Sequence, residues 1–261
     1  MLNLKYQVRG SQFSTYEKEG MKQGNTLPDK NRYVNGGIVR TDPSQKQITL
    51  VFTAADKADG AEAILKTLKK HDIKGAFFFT GEFLERFPET VRQLVEEGHY
   101  VGSHSYGHLL YMPWENPDSL LVSREEFEQD LRKSYEKLQQ FGISYQDAPL
   151  YMPPYEYYNR TIAAWAKSMG IQLVNFTPGT LSNADYTTPD MGKKYRSSQT
   201  IYNKIMEVEK AEGLNGHLLL IHLGTDDLRT DKFYNGYLDK TIRTLKKKGY
   251  RFIPIREATG F

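Results

Sequence analysis

Two histidines four apart, His104 and His108, stand in the stretch GSHSYGH at residues 102–108, directly after an apolar segment. In α/β folds, groups just beyond the C-terminal end of a strand face the ligand site. If the chain turns helical there, side chains at i and i+4 share a face, and two neutral imidazoles so placed can grip one zinc-like ion. The plainer alternative is a strand-end loop with ordinary polar histidines. A two-histidine site needs a third ligand, commonly a carboxylate, and keeps open positions for water and substrate. Asp56 closes the segment TAAD after the first clear strand and suits that place. Its simpler use is to cap the helix beginning near Ala61, although Asp59 is better spaced for a cap. His222 ends LLLIHL, a stretch apolar enough to be buried, so its ring is either satisfied in the core or faces a site. His71, His99 and His217 receive no role; His71 ends an amphipathic helix, where an imidazole complements the dipole.

The elements that must position these residues alternate. Ile48–Thr53, Gly75–Thr80, His99–Ser103, Pro149–Met152, Ile171–Phe176, His217–Leu223 and Arg251–Ile255 read as strands. Between them, helical periodicity marks 61–71, 82–97, 123–142, 161–169, 198–212 and part of 232–248. Ser123 with Glu126 three residues on forms a capping box, and Gly142 is a C-terminal stop. Seven βα-like units argue for a parallel sheet with helices outside it. A doubly wound sheet and a barrel both satisfy the pattern; seven units without a Gly-rich phosphate loop favour the barrel. Residues 1–46 are polar and turn-rich. They are expected to form an N-terminal extension packing on a domain spanning 47–261, with short extended pieces at Leu4–Val8 and Arg32–Val34.

Composition narrows the class. The 261 residues are 39% hydrophobic with 18 Tyr and 13 Phe, enough for one sizeable core and too apolar for a disordered chain. A net charge of +3 from interspersed charges gives no reason to expect nucleic acid. No apolar run is long enough to span a membrane. The absence of Cys excludes disulfides, thiolate metal sites and cysteine nucleophiles together. Oxygen and imidazole ligands remain.

Taken in order, these positions resemble the polysaccharide deacetylase family, the carbohydrate esterases with a NodB-type homology domain. The resemblance runs from Lys46 to Ile255. The family's T-F-D-D motif corresponds to Thr53-Ala54-Ala55-Asp56, and its H-S/T-x-x-H motif is intact as His104-Ser105-Tyr106-Gly107-His108. Its R-x-P-Y motif falls on Met152-Pro153-Pro154-Tyr155, and its L-x-H motif on Leu220-Ile221-His222. The segments NFTPGT, NADYTTPDM and RTDKFYN resemble a divergent bacterial subgroup. The resemblance implies an α/β fold, a distorted (β/α)7-type barrel with a short N-terminal extension. It implies a divalent metal held by Asp56, His104 and His108, zinc foremost, with cobalt, nickel or manganese as alternatives. His222 would be the catalytic acid and the Tyr155 backbone N–H the oxyanion donor. The reaction implied is metal-dependent removal of acetyl groups from N- or O-acetylated sugars or polysaccharides.

Two departures bear on activity. Ala55 stands where the family's base Asp belongs, and Met152 where its Arg belongs. An alanine cannot accept a proton, so the chain is a natural variant with another base, a silent carbohydrate-binding relative, or an engineered inactive form. Asp59 and Asp226, beside the motif strands, are candidate substitutes. The family's motif of an Asp with a Trp has its nearest match at Asp185-Tyr186. Tyr106, Trp114, Tyr155, Phe176 and Tyr186 fall on loops or strand ends, and Tyr155 and Tyr186 are the choices for stacking on sugar rings. The expected partner is an acetylated glycan, with no nucleic acid, membrane span or protein partner. Family resemblance suggests a secreted or periplasmic protein, although MLNLKYQVRGSQF lacks the apolar stretch of a signal peptide.

Overall fold

The computed structural model describes residues 29–261. The expected piece at Leu4–Val8 lies outside them. The elements follow as β1 (Arg32–Val34), β2 (Gly37–Arg40), β3 (Gln47–Ala54), α1 (Ala61–His71), β4 (Ala76–Phe79), α2 (Gly81–Arg86), α3 (Pro88–Glu96), β5 (Tyr100–Ser103) and α4 (Arg124–Gln139). The chain continues through β6 (Leu150–Tyr151), α5 (Arg160–Ser168), β7 (Gln172–Leu173), α6 (Ser198–Glu212), β8 (His217–His222), α7 (Tyr237–Lys247), β9 (Arg251–Phe252) and α8 (Ile255–Thr259).

One sheet runs in the order β1-β2-β8-β3-β4-β5-β6-β7, with β9 pairing the start of β3. Strands β3 to β9 pair in parallel. β2 pairs β8 antiparallel at Arg40–His217, and a single bridge joins Ile38 to Val174 just past β7. β2 thereby links the two ends of the curled sheet. The result is the distorted barrel expected, with residues 37–40 inside the sheet. Because the strands are parallel, the chain just after β3, β4, β5, β6, β7 and β8 emerges on one rim. The ladder continues one residue beyond each strand there: Leu223 N–H donates to Thr53 O at 2.9 Å, His104 N–H to Phe79 O at 2.9 Å, and Met152 N–H to Ser103 O at 3.1 Å.

Period-two alternation divides the core in two. Val51, Phe78, Leu218 and Leu220 point inward and pack with Ile38, Leu150, Met152, Val174 and Ile255. Phe52, Phe77, Phe79, Leu219 and Ile221 point outward into the larger layer beneath the helices. There Phe52 stacks on Phe77 with centroids 4.7 Å apart, and Phe79 on Phe83 at 4.1 Å. Such pairs add roughly 0.5–1.5 kcal/mol beyond area burial.

Local chemistry sets the boundaries. Ser123 and Glu126 form the expected reciprocal capping box on α4. The single helix expected over 82–97 is two, because Pro88 disfavours helical backbone at Phe87, which takes φ −126° and ψ 49°. The strand expected over 171–176 shortens to β7. There Asn175 turns its own carboxamide oxygen to Phe176 N–H at 2.8 Å. The last strand stops before Pro254, whose fixed φ starts α8. Asp59 does not cap α1: the N-cap is Gly60, without a side-chain bond. Asp59 instead accepts Thr225 N–H at 2.9 Å and the Tyr234 hydroxyl, with Lys232 Nζ 2.9 Å away.

Candidate active site

The pair His104 and His108 sits in a loop, not on the helix that the spacing allowed. Ser105 (φ 68°) and His108 (φ 50°) both take left-handed backbone. Side chains hold this shape. Asp130 of α4 accepts the N–H groups of Tyr106 at 2.9 Å and Gly107 at 2.7 Å, and Ser105 Oγ accepts His108 N–H at 2.9 Å. The loop still brings the two rings to 5.0 Å between centroids. His104 is buried, and its Nδ1 lies 2.9 Å from Met152 O. A carbonyl only accepts, so Nδ1 carries the hydrogen and Nε2 keeps its lone pair. Burial, then the neighbouring His108, holds His104 well below the ordinary imidazole range. Burial and the charge of His222 lower His108 to about 4, against the opposing pull of Asp56. Both rings are neutral at neutral pH, as metal ligands must be.

Asp56 stands exposed on the turn after β3. Among the described residues no three His, Asp or Glu side chains are grouped to hold a metal ion. The structure thus assembles the two imidazoles and leaves the third expected ligand apart.

His222 ends β8 and meets Asp185, which sits fully buried in the short turn Ser182–Tyr186. One Asp185 oxygen accepts His222 backbone N–H at 2.9 Å, and the other lies 2.6 Å from Nδ1. The Nδ1 hydrogen is fixed on the carboxylate, so Nε2 is the nitrogen left to exchange protons. Burial alone would depress this imidazole; Asp185 and then Glu156 outweigh it and raise His222 above its ordinary value. Asp185, in the sequence only the nearest match to a missing motif, thus joins His222 in the candidate site. Its signal was a carboxylate in a turn-rich stretch, and burial could not be read there.

Glu156 is the residue that the sequence reading missed. It follows Tyr155 in the turn Pro154–Glu156, and Tyr155 (φ 57°) and Glu156 (φ 53°) are both left-handed. This turn directs the two side chains differently. Tyr155 is 45% exposed, its ring 4.4 Å from that of His108 and edge-on to Trp114 at 5.7 Å. The Glu156 side chain is only 13% exposed, with Oε1 3.9 Å from His104 Nε2. Burial, with Asp185 adding to it and His222 opposing, lifts this carboxyl to about 7. The available signal was a carboxylate directly after Pro-Pro-Tyr.

Tyr186, half exposed, packs edge-on against His222 at 5.6 Å. The two tyrosines chosen from the sequence therefore each flank a site histidine. Trp114 stacks on Tyr157 at 4.9 Å and extends the aromatic wall beside Tyr155. Neither proposed substitute base is free. Asp59 is tied as described, and exposed Asp226 accepts Leu228 N–H at 2.9 Å in its own turn.

The family model described as polysaccharide deacetylase matches residues 40–174. The chain belongs to the polysaccharide deacetylase family. It is 29% identical over 219 residues to the peptidoglycan-N-acetylglucosamine deacetylase PgdA of Listeria monocytogenes, covering 83% of this chain and 40% of that protein. Identity to the peptidoglycan-N-acetylmuramic acid deacetylase PdaA of Bacillus subtilis is 26% over 233 residues, covering 86% of this chain and 78% of that one. The solved structure of PdaA, a family 4 carbohydrate esterase, matches the fold with a TM-score of 0.64 at 22% identity, over 86% of this chain and 85% of that one. A CE4 family pseudoenzyme from Bacillus anthracis matches with a TM-score of 0.66 at 22% identity, over 87% and 70%.

Of the three donors expected of a polysaccharide deacetylase, the two imidazoles have chemistry that suits a divalent ion and Asp56 stands apart from them. His104 donates its Nδ1 hydrogen to a backbone carbonyl, the arrangement that fixes tautomer and orientation of a ligating imidazole. At the position of the family's arginine, Met152 is fully buried in the barrel interior among Val174, Leu150 and Phe78.

Proposed function

We propose that this chain is a metal-dependent deacetylase acting on acetylated sugars of a glycan, with N-acetylated peptidoglycan the first substrate to examine. The observation that carries the reading is the Asp185–His222 pair beside the neutral imidazoles of His104 and His108. These two histidines, with Asp56 brought in from its exposed turn, would hold the ion. Zinc is the first choice, and cobalt, nickel or manganese are alternatives. The bound ion would polarise the acetyl carbonyl and acidify a water. The remaining chemistry belongs to the chain. Asp185 fixes the His222 tautomer and stabilises its protonated form, so Nε2 can give a proton to the leaving amine or alcohol. The Tyr155 backbone N–H is the proposed donor to the developing oxyanion. Tyr155 and Tyr186 offer apolar faces for sugar rings. The curated relatives named above act on peptidoglycan, which supports a working place outside the cytoplasm.

A second reading has its own observation. Ala55 leaves the usual base position without a carboxylate, which favours a silent carbohydrate-binding protein. Acetate release from N-acetylated and O-acetylated glycans, with added zinc and with chelator, separates the two. Metal-dependent release supports the enzyme; glycan binding without release supports the silent binder.

A further inference from the structure

The geometry points to Glu156 as the group that takes the proton from the attacking water, in place of the carboxylate missing at position 55. This assignment rests on the deacetylase reading above.

Glu156 differs from every other carboxylate near the mouth. Asp185 accepts two hydrogen bonds through His222, Asp130 accepts two N–H groups, and Asp59 is tied to Thr225, Tyr234 and Lys232. Asp56 is exposed. The Glu156 carboxylate is largely withdrawn from solvent, yet among the described residues it accepts no hydrogen bond. His104 Nε2, on a neutral ring, lies 3.9 Å from its Oε1. A withdrawn carboxylate without a donor costs stability and contributes none.

The backbone under it is unfavourable as well. Left-handed conformation at two successive non-glycine residues costs roughly 1–2 kcal/mol for each. Three hydrogen bonds hold the turn: Glu156 N–H donates to Pro153 O at 3.0 Å, Tyr157 N–H to Pro154 O at 3.2 Å, and Asn175 Nδ2 to Glu156 O at 2.7 Å. Strain retained at a site, around a side chain that stabilises nothing, is the pattern of a functional group. The carboxylate also lies near the His104 nitrogen that retains its lone pair, the nitrogen that would hold the ion. Met152 fits the same arrangement. A base carried by the turn after β6 needs no guanidinium at 152 to orient a carboxylate at 55, and that position is free to pack in the barrel.

In the step so assigned, the water oxygen bonds to the acetyl carbon, the carbonyl π pair moves onto its oxygen, and the water's proton passes to Glu156. The tetrahedral intermediate then re-forms the carbonyl and breaks the carbon–nitrogen bond while His222 Nε2 protonates the departing nitrogen. Acetic acid and the free amine leave. Glu156 releases its proton to solvent and His222 takes one up, which restores both groups.

The test compares the full chain with E156Q, E156G and the double variant A55D/E156Q. Acetate release from an N-acetylglucosamine tetramer with zinc is measured alongside zinc binding by calorimetry. For E156Q the expected result is a kcat about 10²–10⁴-fold lower, with KM and zinc affinity changed less than about threefold. A55D should return at least about tenfold of the lost rate, because it supplies a carboxylate at the position where the family carries its base. E156G should lose activity equally while unfolding at the same or a higher temperature, since glycine accepts the left-handed turn. Unchanged kcat in E156Q overturns the assignment and leaves the deacetylase reading standing. Loss of zinc binding in E156Q also overturns it, by making Glu156 a ligand. No release from the unmodified chain with zinc bound overturns both.

Discussion

The two ends of the barrel bury histidines to different ends. At the N-terminal end of the strands, His99 and His217 are used up by structure. His99 Nδ1 accepts Gly75 N–H at 3.1 Å while its ring meets the Phe77 ring edge-on at 5.3 Å. His217 begins β8, buried, 3.5 Å from Asn215 O. At the C-terminal rim, His104 is buried and His108 and His222 are partly buried, and each is oriented by one ring nitrogen or by its loop toward a shared space holding Glu156 and Asp185. Burial lowers the imidazoles at both ends, to about 4 for His99, His217 and His108 alike. A depressed imidazole therefore does not identify a site here. Convergence with unsatisfied or dyad carboxylates does.

The comparison breaks first at His222. His222→Ala removes the proposed proton donor and should lower acetate release about 10²–10⁴-fold, with zinc uptake by calorimetry unchanged. A retained rate would place His222 with the structural histidines. Asp185→Asn should cost less, on the order of tenfold to a hundredfold. It removes the main influence raising His222, so the alkaline limb of the pH–rate profile should move to lower pH; an unmoved limb would remove the dyad from the mechanism.

The far end should answer in stability alone. The native rings of His99 and His217 stay neutral down to about pH 4, whereas unfolded histidines protonate near 6.5. Between those values the unfolded chain holds more protons. Their contribution is complete above about pH 6.5 and is lost as pH falls toward 4. The unfolding free energy from urea titrations should drop over that window by an amount on the order of 1–3 kcal/mol. His217→Leu should flatten the drop and leave kcat unaltered.

The smallest effect is expected on the helical layer. Asp239, in the first turn of α7, meets Lys70 at 2.8 Å and His71 at 2.7 Å, both in the last turn of α1, and Arg243 at 2.8 Å. These partners hold its carboxyl well below the usual range, hydrogen bonding from Lys70 foremost. Asp239→Asn should cost about 1 kcal/mol in thermal unfolding at pH 7, and the cost should vanish below the native carboxyl's titration.

The barrel was largely legible because its signals are local. The apolar runs of β3 and β8, the periodicity of α1 and α6, and the Ser123–Glu126 box all act within a few residues. Where reading failed, the cause was backbone conformation. The spacing of His104 and His108 was correct, but the helix supposed to unite them is a loop with two left-handed residues. Pro88 and Pro254 set boundaries that the apolar periodicity alone runs across. Tyr155 and Tyr186 pack beside His108 and His222, whereas Glu156 was invisible because its inward aim depends on two positive φ angles that no pattern announces. Asp59 shows the reverse error, a correctly spaced cap drawn instead into tertiary contacts with Thr225, Tyr234 and Lys232.

The central claim is that this rim performs metal-dependent deacetylation despite Ala55. The most direct measurement is acetate release by the unmodified chain from an N-acetylated glycan after zinc loading, with His104→Ala and a chelated sample beside it. Zinc-dependent release, lost in both controls, is the result expected. Zinc and glycan bound at the rim with no acetate released would contradict it.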